Sequence, residues 1–426
     1  MKELFKTFLF CLIAAILAAA AVHFDRGPES PQSLNDEGQL FYPAFTDPQA
    51  PKMIEVIDYD EATATARPLK VEFRRNRWVI PSHFGYPADA EQRLASTAAA
   101  LVELRKDAIV SDRTDDHARF GAVDPLDSTV SSLTGRGKRV TLRDAGGTTL
   151  ADFVVGKPVE GKPGYRYIRL PGQRRTYSVK TDADVSARFQ DWIETDLLKL
   201  SAGDIRKISV HRYSINETFG MVENNETIVL TREEGKWVLT EGGSPRKGKM
   251  DELVNALDAL RIVDVQAKPL GLSQDLKTPE GIRLSPESML SLRQKGFFVT
   301  PRGQLLSNEG EVTVESANGL LYSLRFGEIA SGGTPSSAAA PPEGQTASKA
   351  PAGQSAPSKG EGERRYLFIT VSYSEERAQK YSTGQEPSSR GPALERELRN
   401  RFADWYYIIS GADFQKLRPS RQDLIK

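Results

Sequence analysis

The chain has 426 residues, with 57 Lys and Arg matched by 57 Asp and Glu, so its formal net charge is zero. A neutral balance provides no field to draw the protein to nucleic acid or to an anionic surface, and no nucleic-acid partner is expected. The length allows two or three ordinary domains, and with Cys11 as the only thiol no intramolecular disulfide or cysteine-based zinc site is possible.

The first element gives an address. Lys2 and Lys6 precede an apolar run from Phe8 to Val22, which Asp25 and Arg26 close. Counting Leu4 and Phe5 it reaches about 19 residues, near the ~20 that cross a hydrocarbon core of about 30 Å. Residues 1–6 then form a short cytoplasmic N-terminus and 7–24 a single transmembrane anchor of the bacterial inner membrane. The lysines on the short side put the bulk of the chain on the periplasmic, extracytoplasmic side. The small residues Ala18 to Ala21 leave a cleaved signal peptide open as the rival reading. Cys11 follows the bulky Phe10 inside the run, which argues against lipidation there.

Residues 25–51, rich in Pro, Ser, Asp and Gln, read as a stalk. A first module spans 52–204. It opens with period-two alternation over 53–57 and 69–73 and continues through Trp78, Val79 and Ile80, so three antiparallel strands are expected. Between Asp89 and Lys106, Leu94, Ala98 and Leu101 follow i, i+4, i+7 spacing, which predicts one helical stripe lying on the sheet. Strand signals return at 140–142, 150–155, 165–170 and 176–179, separated by Gly146-Gly147 and Pro171-Gly172 as hairpin turns would be. They predict a second small sheet or an extension of the first. Asp182 can cap a closing helix that carries Val185, Phe189 and Trp192 on one face.

From 205 to 418 the series starts again. Strand patterns at 208–210 and 227–230 precede Trp237, which stands 159 residues after Trp78. Met250, Leu253, Leu257 and Leu260 make the matching helical stripe. Gly327 answers Gly156 at an offset of 171, because the second copy carries extra chain around 285–308. Leu398, Arg401, Phe402, Asp404 and Trp405 each lie 213 residues after Val185, Arg188, Phe189, Asp191 and Trp192. The expected fold is therefore α+β: two tandem copies of a module of antiparallel strands with packed helices, preceded by one transmembrane helix. Residues 331–363, almost all small or polar, read as a disordered insertion in the second module. A smaller insertion is expected over 374–392, and residues 419–426 are left as a C-terminal tail.

Candidate chemistry is sparse. Asp115, Asp116 and His117 form the one local acidic and imidazole cluster, without further ligands at metal-like spacing. His23, His83 and His211 are scattered. The Phe-x-Asp-Trp stretches, 189–192 and 402–405, and the tryptophans Trp78 and Trp237 read as core. The alternation in Tyr165, Arg166, Tyr167, Ile168 and Arg169 is that of a half-exposed strand. The short basic runs 136–139 and 364–365 read as solvated, and 307–311 as an acidic turn. No short motif of a serine nucleophile, a zinc peptidase or a phosphate-binding loop occurs in a suitable context. No catalytic residue, cofactor-binding residue or metal ligand is assigned, and no cofactor is expected.

Trp78, Trp237, Gly156 and Gly327, in the order membrane run, Trp-led strand, helix and glycine-containing hairpins, resemble a bacterial family of membrane-anchored proteins with tandem repeats. That family is catalogued only as a domain of unknown function, and its members are often encoded beside subunits of the gliding-motility type of ABC transporter. The resemblance implies no catalytic residues. It implies a membrane-anchored, non-enzymatic accessory or scaffold of a cell-envelope complex, with ABC-transporter subunits as the protein partner and the bilayer engaged through the N-terminal helix. The alternatives are a binding module that takes a glycan, peptide or lipid between the repeats, and an enzyme of unrecognised type in which Asp115, His117 and Asp191 would converge.

Overall fold

Period-two alternation opens the first sheet. Ile54 and Val56 in β1 (Met53–Asp60) and Leu69 and Val71 in β2 (Thr65–Arg74) turn inward and are buried, while Glu55 and Lys70 between them stay partly exposed, as a strand's geometry requires; Ile57 and Glu72 are buried on the other face. The computed structural model describes residues 36–181, 185–216, 221–278, 285–300, 303–330, 363–381 and 390–425. The sheet adds β3 (Arg77–Ile80), β4 (Tyr86–Pro87), β5 (Ala108–Ser111), β6 (Lys138–Arg143), β7 (Thr149–Pro158), β8 (Tyr165–Arg169) and β9 (Thr176–Lys180). Nine strands lie in the order β4-β3-β2-β1-β6-β7-β8-β9-β5, paired antiparallel. The strands after residue 138 thus extend the first sheet and do not form a separate one.

The second sheet draws on β10 (Ile205–Asn216), β11 (Met221–Glu233), β12 (Lys236–Leu239) and β13 (Asp264–Ala267). A small hairpin of β14 (Phe297–Val299) and β15 (Leu305–Ser307) stands apart, and β16 (Glu311–Ser316), β17 (Leu320–Ile329), β18 (Arg364–Tyr373) and β19 (Trp405–Ser410) complete the sheet. Its order is β12-β11-β10-β16-β17-β18-β19-β13, again antiparallel. The fold is α+β, with large antiparallel sheets and several helices.

Each sheet is faced by an amphipathic helix. Glu91–Val102 buries Leu94, Ala98 and Leu101, and Lys247–Asp258 buries Met250, Leu253 and Leu257. These are the stripes the spacing predicts, except that Leu260 lies past the end of its helix and is buried from the following loop, and residues of both sheets join in one continuous hydrophobic core.

Four expectations are corrected. Residues 36–51 do not stand clear as a stalk: Phe41 and Phe45 are buried in the core, and the Tyr42 hydroxyl donates to the Asp152 carbonyl. The closing helix predicted around Phe189 is only a 3-10 turn, Phe189–Trp192, whereas Phe402 ends the helix Arg390–Ala403 and Trp405 opens β19. The two Phe-x-Asp-Trp stretches therefore occupy different places. Within the smaller expected insertion, Glu375–Tyr381 is helical. The tail folds back as Arg421–Leu424, capped by Ser420 and Asp423 with Leu424 fully buried. The apolar run 8–22, Asp182 and residues 331–362 lie outside the described residues, and no helix among the described residues is long and apolar enough to cross a membrane.

A buried ionic clamp explains the docking of 36–51. The Asp36 carboxylate accepts from Lys106 Nζ at 2.7 Å, Arg175 Nη1 at 3.0 Å and the Tyr177 hydroxyl at 2.7 Å. Burial pushes this carboxyl up, but the hydrogen bonds from Lys106, Tyr177 and Arg175 outweigh it and hold it below the usual carboxylate range. Removing one side of a buried ion pair costs about 3–5 kcal/mol because the other charge is left unpaired. Asp36→Ala should lose about that much in urea unfolding of the full-length protein; an unchanged midpoint would mean that the clamp contributes nothing.

Candidate functional site

The two sheets meet where the turn after β3 and the 3-10 turn Phe189–Trp192 face β13 and β19. Pro81 opens a short 3-10 turn that ends at His83, with Phe84 in the left-handed region. That turn aims His83 into the junction, where it is 5% exposed. Its ring stacks on Phe189 at 4.1 Å and 8°. Nε2 lies 3.6 Å from Asp264 Oδ1 across the junction, and Nδ1 lies 3.0 Å from the Ser82 hydroxyl. Tyr86 packs edge-on against Phe189 at 5.5 Å and against Trp405 of the other sheet at 5.1 Å. Gln190 Nε2 donates to the Val263 carbonyl at 2.8 Å.

Outside this aromatic clasp the junction opens into a polar cleft of about 490 Å³ floored by Tyr86 and Trp405. Its walls carry Arg77, Lys199, Lys277 and Arg401 against Glu194, Glu397 and Asp404. Lys199 pairs with Glu397 at 2.7 Å and Lys277 with Asp404 at 2.6 Å. Arg401 Nη2 donates to the Glu194 carbonyl at 3.3 Å. The exposed half of this site is thus mixed in charge, and the aromatic half is already packed.

The sequence candidates are dispersed. His117 is buried with Nε2 2.7 Å from the Arg174 carbonyl, and Asp115 shares its cleft on the first sheet with an 83% exposed side chain. Asp191 lies elsewhere, accepting from Ser186 and Arg188, so the three do not converge. Trp78 and Trp237 are partly buried against the core. Ser307 is buried and donates to the Gly310 carbonyl, closing the turn expected there. Among the described residues no group of three His, Cys, Asp or Glu is placed to hold a metal ion.

The basic runs are not solvated in the way expected. Arg365 is 7% exposed and donates to the Gly327 carbonyl at 2.9 Å. Arg136 donates to the carbonyls of Asp124, Asp127 and Val130, and Arg139 bridges Asp124 and Asp152. A guanidinium offers five donors in a rigid fork, which suits it to collecting the orphan carbonyls of crossing loops. Arg169 is also buried, at 4% exposure, so β8 does not keep the alternation read from its sequence.

Residues 78–275 match the family model of a domain of unknown function, DUF4340. Neither a curated protein nor a solved structure matches the chain. The DUF4340 match begins at Trp78 in β3 and runs through the junction into the helix Leu270–Lys277. It includes His83, Phe189 and Asp264 of the clasp and leaves out Glu397, Arg401 and Trp405.

His83 and Asp264 had no local signal in the sequence, because each is a lone polar residue whose partner lies in the other sheet. The burial of His83 makes the junction pH-sensitive. Burial pushes the His83 imidazole below its ordinary value, with the Asp264 carboxylate pulling the other way and losing. The fold prefers neutral His83, so its contribution is complete above the unfolded value of about 6.5 and is lost as pH falls through the lower folded value. Between about pH 7.5 and about pH 5 the wild-type urea midpoint should therefore fall more than that of His83→Gln; parallel losses in the two proteins would show that His83 does not carry the effect.

Proposed function

We propose that this protein is a non-enzymatic, membrane-anchored accessory of a cell-envelope complex, held on the extracytoplasmic face by the apolar run 8–22 and built from two copies of one module. ABC-transporter subunits are the partner that the family resemblance implies. The observation that carries the reading is the clamp on Asp36. The described fold begins at a buried, three-partner ionic anchor, and the residues 23–35 between the apolar run and that anchor span at most about 47 Å. A run seated in the bilayer would thus hold the folded body close to the membrane surface from a fixed point.

Matched positions support the duplication. Strand for strand, β3-β2-β1-β6-β7-β8-β9-β5 corresponds to β12-β11-β10-β16-β17-β18-β19-β13. The register pairs Ile109 with Tyr177 in one sheet and Val265 with Tyr407 in the other, and both tyrosines are fully buried. Gly156 and Gly327 sit at equivalent points: a Cβ would come within 2.5 Å of the Phe120 carbonyl oxygen in one case and 2.1 Å of the Lys295 carbonyl oxygen in the other. One residue beyond the paired ends, Arg175 bonds Asp112, while Asp404 attracts Lys268, so the same place is held by charges of exchanged sign.

Against a ligand slot between the copies stands the filling of the junction. Tyr86 and Trp405, the aromatic walls such a slot would use, are 4% and 8% exposed and spend their faces on each other and on Phe189. What the junction offers outward is the charged rim of Arg77, Lys199, Lys277 and Glu397, which suits a protein surface. Affinity purification from native membranes in mild detergent tests the reading. The protein should resist a carbonate wash and co-purify with integral-membrane transport subunits, and Lys199→Glu combined with Lys277→Glu should lower their recovery. Release into the wash, or recovery of the protein alone, would sink it.

A further inference from the structure

The outer face of the first sheet carries a second cleft, of about 600 Å³, within the roughly 300–1,000 Å³ range of small-ligand sites. It opens between the segment that follows the short helix His117–Phe120 and the turn joining β8 to β9. Three carboxylates line it, and each is already engaged. Asp124 accepts from the Leu126 amide at 2.9 Å and pairs with Arg139 at 3.1 Å. Asp127 accepts from the Thr129 amide at 2.8 Å and its hydroxyl at 2.6 Å. Asp115 lies 3.6 Å from Arg113.

Two cations on the same wall lack that compensation. Arg169, at the end of β8, is 4% exposed. Its Nε donates to the Ala122 carbonyl at 2.8 Å, and its Nη1 to the carbonyls of Gln173 at 2.9 Å and Leu170 at 3.3 Å. Among the described residues no carboxylate lies within ion-pair distance of it. Arg174 is exposed and likewise has no carboxylate partner there, while its carbonyl is taken by His117 Nε2 at 2.7 Å. A guanidinium does not shed its proton at any ordinary pH, so a buried one that bonds to carbonyls, with the Asp124 and Asp127 carboxylates acting on it only from beyond ion-pair distance, is a charge short of a direct counter-charge. Burial already pushes Arg169 below the ordinary arginine value, and the attraction of Asp124 and Asp127 does not restore it.

We propose that this cleft binds a small anion bearing a carboxylate or phosphate group, seated against the guanidinium groups of Arg169 and Arg174 with the His117 ring beside it. Both oxyanions match the planar fork of an arginine in charge and spacing. The site belongs to the first sheet alone and lies apart from the junction, so it stands or fails independently of any membrane partner.

The test is calorimetry and thermal unfolding of the full-length protein in detergent, titrated separately with inorganic phosphate and with citrate, each against sodium chloride of equal ionic strength. Saturable binding of at least one anion is expected, with a raised melting temperature. Phosphate alone would identify a phosphate-bearing ligand, citrate alone a carboxylate, and both a general oxyanion site. Arg174→Gln should weaken binding about tenfold, as the loss of one charge-assisted contact does. Because that side chain is exposed and braces no loop, the variant stays folded and keeps the test decisive even if Arg169→Lys is unstable. No saturable binding by either anion up to about 10 mM, where a contact this weak would still register, would overturn the proposal. So would equal binding by wild type and Arg174→Gln.

Discussion

Each sheet depends on one helix that carries the chain from one edge to the other. After β4 the chain leaves one edge of the first sheet, runs through Glu91–Val102 and reappears as β5 on the far edge. Eight strand spacings separate the edge strand β4 from β5, roughly 38 Å at the usual inter-strand distance, and a 12-residue helix covers about 18 Å of that. The linking residues on either side supply the rest. Because the helix must lie across the sheet to make the connection, Leu94, Ala98 and Leu101 are forced onto the inward strand faces. The second sheet repeats the constraint with Lys247–Asp258 between β12 and β13. In both cases the returning chain must then climb back to the middle of the sheet at β6 or β16, and the segment that does so covers the outer face.

Buried charges sit where these crossing segments meet. Asp36 fastens the chain before β1 to the β9 edge through Arg175 and Tyr177. Lys268, just past β13, is 5% exposed: its Nζ donates to the Phe402 carbonyl at 2.7 Å and lies 4.1 Å above the Phe368 ring. Arg365 joins β18 to the Gly327 carbonyl of β17 and lies 4.4 Å above Phe414. Burial drives the Lys268 ammonium well below its ordinary value against the pull of Asp404. Such groups add little net stability over a well-packed apolar residue. They do fix which segments can lie together, since a wrong pairing would leave a charge buried without its acceptors.

What could be read from the sequence was local. Alternation in β1 and β2, the strand signals of β6 and β7, the helical stripes through Leu101 and Leu257, and the turns at Gly147 and Gly172 are set by residues within a few positions of each other, and the structure has them where the spacing puts them. The strand order, the His83–Asp264 contact and the burial of Arg169 and Arg365 rest on partners that only the fold brings together. Composition misled at 36–51, where prolines and polar residues read as a stalk although Phe41, Tyr42 and Phe45 anchor the segment. The 213-residue offset between the Phe-x-Asp-Trp stretches misled differently. Trp192 follows the last strand of its sheet and Trp405 begins one, so identical side chains answer different packing needs.

That shift of the aromatic pair also accounts for the junction. Because the 3-10 turn Phe189–Trp192 lies beyond β9, it is free of the strand ladder: Phe189 packs on His83 and Tyr86 of the β3–β4 segment, and Gln190 reaches toward the second sheet by donating to the Val263 carbonyl. Trp405, held in β19, meets Tyr86 of the first sheet at 5.1 Å with the rings inclined by 61°. These contacts help to join the two sheets in one core. The packing also uses up the aromatic surface at the contact and leaves outward only the charged rim, whose pairs Lys199–Glu397 and Lys277–Asp404 are exposed enough to exchange partners at little cost.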